Sequence, residues 1–127
     1  MSPMSYDPYN PPAPDDWLAL DEQARIDLVQ RYHQMAGQTA GNMTVHAAVH
    51  TVIENQIALN DPPEVAKKLR SLMAEGLDRH EAVHALSTAV TDMLWGLSRA
   101  KAQSGDPMQR YVNSVRRLSM RKWLRLG

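Results

Sequence analysis

The sequence predicts an all-α fold, a small bundle of about five helices behind an extended, proline-rich N-terminal arm. Three observations carry this. From Asp15 onward apolar residues recur with the three- to four-residue spacing of a helix. No stretch alternates with period two, as a half-buried strand would. Capping and breaking residues stand between the periodic segments.

Residues 1–14 contain Pro3, Pro8, Pro11, Pro12 and Pro14. Proline lacks the amide donor and resists helix and sheet alike, so the segment reads as a flexible, solvated arm of polyproline character. Tyr6 and Tyr9 docking on a partner is the alternative. A short turn follows at Asp15–Leu20. The first full helix covers about Asp21–Ala36, with Asp21 as N-cap, Gly37 as stop and Ala24, Ile26, Leu28, Val29 and Tyr32 at helical spacing. Gly37–Gly41 is a loop.

The second helix starts with Asn42 as N-cap and runs to about Leu59, with Val45, Val49, Val52, Ile53 and Ile57 on one apolar face. Asn60-Asp61-Pro62-Pro63 breaks the chain. Asp61 is expected to cap a third helix with Pro62 at its first position, where the missing amide costs nothing. That helix carries Val65, Leu69, Leu72 and Met73 and stops at Gly76. Asp78 caps a fourth helix, with Glu81 three residues on in a capping-box arrangement. Val83, Leu86, Val90, Leu94 and Leu97 form its core face, and Gly105-Asp106-Pro107 ends it. The last helix runs from about Pro107 to Leu126. The layout is thus an arm at 1–14, a bundle at 15–105 and a basic amphipathic helix at 106–127.

A chain of 127 residues suits one domain and can bury a core without disulfide or metal staples. Hydrophobic residues at 43% and charged residues at 22% exclude a wholly disordered chain. There is no cysteine, which excludes disulfides, thiolate metal sites, iron–sulfur clusters and a cysteine nucleophile. No apolar run approaches the ~20 residues of a membrane span. No basic stretch followed by an apolar one opens the chain, so no secretory signal is read and a cytoplasmic location is expected. The net charge of zero hides a split: residues 1–100 hold 7 Lys+Arg against 13 Asp+Glu, whereas residues 101–127 hold 7 against Asp106 alone.

The chemistry lies in the histidines. His46/His50 and His80/His84 form two HxxxH pairs. Spacing of i, i+4 puts both rings of a pair on one helix face, where they reach a single metal ion. Short loops make consecutive helices antiparallel neighbours, so the second and fourth helices run parallel and both pairs fall at one end of the bundle. His33, near the C-terminus of the first helix, points to that same end. On a helical wheel His46 faces inward between Ile53 and Ile57, with His50 one step off that line and Glu54 one step further. Ser87 and Thr91 continue the stripe of His80 and His84. Two pairs at one level favour a metal site over histidines that merely pack. Neutral imidazoles leave an ion's charge uncompensated, so Glu54 is expected as a fifth ligand or as a partner of the ligands. His80–His84 also matches the HExxH signature of zinc proteases. A protease is disfavoured, because the capping box explains Glu81 and no later glutamate supplies a third ligand.

The run Asn42 to Gln56, with its HxxxH pair and Glu-Asn-Gln ending, resembles small bacterial proteins of the domain-of-unknown-function family 1841. So does Gly76-Leu77-Asp78-Arg79-His80-Glu81-Ala82-Val83-His84, followed by Trp95. The likeness spans about Asn42–Trp95. It implies an all-α protein with clustered histidines at His46, His50, His80 and His84, and it supplies no established reaction.

In the last helix Met108, Tyr111, Val112, Val115, Leu118, Trp123 and Leu126 gather on one face and Arg110, Arg117, Arg121 and Arg125 on the other, with Met120 and Leu124 on the polar side. This is a packed helix with a solvated basic face, or a contact for an acidic protein (including a second copy of the chain), a nucleic-acid backbone or a membrane surface. The functional expectation is a small helical metal-binding protein with a site at His46, His50, His80, His84 and Glu54, extending to a metal-dependent enzyme. Zinc, iron, nickel or copper suits such ligands. The alternative is a non-enzymatic interaction module whose histidines pack and whose basic helix makes the contact.

Overall fold

Aspartate and asparagine side chains set four helix starts by accepting an amide hydrogen that the helix leaves free. Asp21 accepts from the Ala24 amide at 2.8 Å, Asn42 from Val45 at 3.1 Å, Asp78 from Glu81 at 2.8 Å and Asp106 from Met108 at 3.1 Å. The computed structural model describes residues 5–37, 42–98 and 106–126, with side chains at 5–37, 42–94 and 106–125. Among the described residues there are seven helices and no strand: α1 (Pro14–Leu18), α2 (Glu22–Met35), α3 (Met43–Leu59), α4 (Pro63–Glu75), α5 (Arg79–Ser98), α6 (Pro107–Arg117) and α7 (Met120–Leu126). The all-α bundle expected from the apolar periodicity is the observed fold. Pro3, most of the Gly37–Gly41 loop, Gly105 and the side chains of Trp95, Leu97 and Leu126 lie outside the described residues.

Two helix boundaries differ from expectation. Asp61 does not cap α4; its amide donates to the Gln56 carbonyl at 3.1 Å, so it belongs to the closing turn of α3. That turn is completed by Asn60 in the left-handed conformation, φ 51°, and α4 begins one residue later than expected, at Pro63. The C-terminal helix is two helices. Leu118 is extended, with ψ 143°, and the Ser119 hydroxyl accepts from the Lys122 amide at 3.1 Å to start α7. The Lys68 ammonium donates to the carbonyls of Arg116 and Leu118 at 3.0 and 2.9 Å, meeting the free acceptors at the end of α6. The break brings Met120, expected on the polar side, against the core. Its Sδ would stand 3.3 Å from a Cβ placed on Gly76, whose φ of 124° already favours glycine.

The core has two parts. The larger joins α3, α4, α5 and α6 through Ile53, Val65, Leu72, Val83, Leu86, Tyr111 and Val115. The smaller joins the arm, α1, α2 and α3 through Tyr6, Trp17, Leu28, Val29 and Ala47. Arg25 fastens the smaller part by donating to the carbonyls of Trp17, Leu18 and Leu20 and to the Asn55 side chain. Val45, Met73, Leu94 and Met108, all expected in the core, are exposed. Val45, Met73 and Met108 stand in terminal helix turns, where neighbours run out.

In the described part of the arm the chain turns at Asp7–Asn10, where the Asn10 amide donates to the Asp7 carbonyl at 3.1 Å. Tyr6, at 4% exposure, and Pro8 are enclosed, whereas Ser5, Asp7, Tyr9 and Asn10 are exposed. The Tyr6 ring lies 5.7 Å from that of Trp17 and 6.0 Å from that of Tyr32. Arg79 donates to the Pro8 carbonyl at 2.8 Å. A proline-rich segment needs few partners for its backbone, so two rings and one captured carbonyl are enough to hold it.

Candidate metal centre

The last turn of α2 carries His33, the first turns of α3 carry His46 and His50, and the first turns of α5 carry His80 and His84. α3 and α5 enter from the same end of the bundle, where α2 finishes. All five rings therefore meet. Ring centroids are 4.5 Å apart for His46 and His50, 4.3 Å for His80 and His84, and 4.5 Å across the helices for His50 and His84. His33 stands 4.7 Å from both His46 and His50 and 5.3 Å from His80.

The tightest set is not the one the HxxxH pairs define. His33, His50, His80 and His84 each offer one nitrogen, and these four nitrogens lie within 4.8 Å of one another. A nitrogen–metal bond is about 2.0–2.1 Å, so four donors in a tetrahedron stand about 3.4 Å apart. Each ring would move inward by up to about 1 Å to close the set on an ion. His46 is set beside this group as a fifth ring. His33 carried a signal, its place at the shared end, but its lack of an HxxxH partner left it out of the expected ligands.

The wheel also misjudged α3. His50 is fully buried, whereas His46, expected to face inward, is half-buried. The reason is that α3 is covered on two sides. Ile53 turns to the larger apolar cluster and Ala47 to the smaller, and His50 and Glu54 fall on the line between them.

Glu54 is enclosed but otherwise engaged. Its carboxylate accepts two bonds from the Arg79 guanidinium, both 2.8 Å, and one from the Tyr6 hydroxyl at 2.5 Å. Burial, with the Glu54 charge beside it, holds the Tyr6 phenol well above its ordinary pKa. Arg79 neutralises Glu54, and the same guanidinium holds the arm at the Pro8 carbonyl. Arg79 sits between the cap Asp78 and His80, and nothing in its local pattern marks it as a buried cation. Glu81 is exposed and accepts from the Trp123 indole at 2.7 Å, which removes it both from the histidines and from the return bond of a full capping box. Ser87 and Thr91 direct their hydroxyls to the carbonyls of Val83 and Ser87.

Burial and neighbouring rings favour the neutral form of His46, His50, His80 and His84. Burial, then the neighbouring imidazoles, pushes the pKa of His50 far down and that of His84 down to about 3. His46 and His80 are lowered by burial and by His33, against which Asp78 and Glu81 act weakly at His80. Nδ1 of His33 lies 2.8 Å from the Val29 carbonyl, an acceptor only, so this nitrogen carries the proton and Nε2 presents a lone pair. Among the described residues, the buried side-chain nitrogens and oxygens without a protein partner are all imidazole nitrogens: Nε2 of His33, both nitrogens of His50, and Nε2 of His80 and of His84.

Residues 14–117 match the family described as a domain of unknown function, DUF1841. The chain belongs to this family. The match takes in α1 to α6 and all five histidines, a wider span than the central resemblance read from the sequence. No curated protein and no solved structure matches the chain. For this member of the DUF1841 family, function must therefore be read from the histidine site itself.

Proposed function

We propose that the protein binds one transition-metal ion through His33, His50, His80 and His84. The observation that carries this is the convergence of buried imidazole nitrogens that lack any protein partner. Leaving a buried polar atom unpaired costs about 1–3 kcal/mol. An ion takes one lone pair from each of the four rings and so relieves four of the five unpaired nitrogens, about 4–12 kcal/mol by the same figure, while the second nitrogen of His50 keeps its proton. Packing alone gives no such return. The Val29 carbonyl acts as the outer partner that fixes the ring of His33, the usual arrangement for a metal-bound imidazole. The depressed pKa values keep the rings in the neutral form that a metal requires.

An all-nitrogen set suits zinc, iron, nickel or copper and disfavours magnesium or calcium. The ion would supply Lewis acidity at the meeting point of α2, α3 and α5. The chain's own part is to hold four neutral donors, exclude bulk water on the α2 side and leave the Glu54 charge tied to Arg79. The test is elemental analysis of protein purified without a polyhistidine tag, paired with melting curves before and after chelation. One ion per chain and a chelator-sensitive melting temperature are expected. Protein without metal, whose melting temperature ignores added zinc, nickel, copper and ferrous iron, refutes the assignment.

A further inference from the structure

The cluster is not closed evenly. His33 and His50 are fully buried and His80 nearly so, while His84 and His46 are half-buried. On that open side lies a cleft of about 640 Å³ lined by His46, His50 and His84 together with Val45, Val49 and Trp123. Its apolar part comes from α3 and from α7, whose Trp123 is held by the bond to Glu81. Its polar part comes from Asn42 and from three hydroxyls on α5. The hydroxyls of Ser87, Thr88 and Thr91 donate to the carbonyls of Val83, Ala85 and Ser87, which leaves lone pairs toward any occupant. Asp92 also lines the cleft and disfavours an anionic occupant.

Resting on the metal reading, we propose that this cleft admits a small neutral molecule with an apolar body, which coordinates the ion through one nitrogen or carbonyl oxygen beside His46. Coordination number argues for the added donor. Four imidazoles leave a position free on an ion that takes five or more ligands, and the nearby buried carboxylate, Glu54, is held by Arg79 and Tyr6. Burial argues for the direction, since the half-exposed rings of His46 and His84 border the cleft. His46 then borders the bound molecule and is not itself a ligand.

The test uses the full chain loaded with one equivalent of cobalt(II), whose visible bands report coordination number, titrated with imidazole and with 4-phenylimidazole. Both should change the bands, and the phenyl compound should bind at least about tenfold more tightly, as ~1.4 kcal/mol of apolar burial requires. V45W, at an exposed position lining the cleft, should abolish that advantage with cobalt content intact. Failure to hold cobalt overturns the metal centre and this proposal with it. Stoichiometric cobalt whose bands ignore both ligands leaves the centre standing and overturns the open position. A new band pattern on His46→Ala without ligand puts His46 in that position and overturns it equally. Equal affinities for the two ligands, unchanged by V45W, overturn the cleft as the binding surface.

Discussion

Replacing Arg79 by Met isolates the buried ion pair. Arg79 and Glu54 side chains are 10% and 5% exposed, and the pair is bidentate at 2.8 Å. Arg79→Met keeps much of the aliphatic stem but leaves the Glu54 carboxylate with only the Tyr6 hydroxyl, and it leaves the Pro8 carbonyl without its donor. Removing one partner of a buried pair costs about 3–5 kcal/mol, because the other charge remains uncompensated. For a chain of this length each kcal/mol lowers the melting temperature by about 4 °C, so a fall of about 12–20 °C is expected. The assay is urea and thermal unfolding followed by circular dichroism. Adding Glu54→Leu removes the stranded charge, so the double variant should recover at least about 1 kcal/mol relative to Arg79→Met alone. A cost below about 1 kcal/mol for the single variant, or a double variant less stable than the single, would refute the reasoning. Glu54→Gln provides the functional control. Its folded fraction should keep full metal content, and loss of the metal from folded protein would return Glu54 to the ligand set.

Other expectations follow from the same contacts. His33→Ala should weaken metal binding by at least the ~10–100-fold that loss of an outer partner costs, whereas His46→Ala should keep most of the affinity; competition with a chromophoric chelator measures both. Metal-free protein should lose stability as pH falls below about 6.5. There the unfolded histidines take up protons that His50 and His84 in the fold refuse, His84 down to about pH 3, and melting temperatures flat between pH 7 and 4.5 would contradict this. Leu86→Ala, at a fully enclosed position in the larger cluster, should cost about 2–5 kcal/mol in urea titrations without changing metal stoichiometry.

The legible parts of this fold were those decided locally. Asp21, Asn42 and Asp78 could be read as caps because the amides they bind lie three residues away in sequence. The meeting of the histidine pairs was legible because i, i+4 spacing and helix direction fix it together. What escaped were contacts between residues far apart in sequence. Arg79 and Glu54 are 25 residues apart and Tyr6 and Glu54 are 48 apart, and neither link leaves a periodic trace. The inward turn of His50 escaped because hydropathy assigns one apolar face to a helix, and α3 has two with a polar line between them. The break before α7 escaped because Leu118 and Ser119 are ordinary helix residues, and the contacts that stop α6 come from Lys68 on another helix.

The division of the core bears on how the molecule comes apart. A domain with one continuous interior melts as a unit, since loss of any part exposes the rest. Here α1, α2 and the arm share a small apolar cluster that only one helix of the remainder, α3, enters, through Ala47 and Ala58. They reach the remainder through one face of α3, the Tyr6–Glu54–Arg79 contacts and the ring of His33. Such a unit has its own opening free energy, below that of the whole. An ion on His33, His50, His80 and His84 would bind the closed form alone, because opening withdraws His33 from the set. Occupancy of the centre would thus tie the opening of this smaller unit to that of the rest.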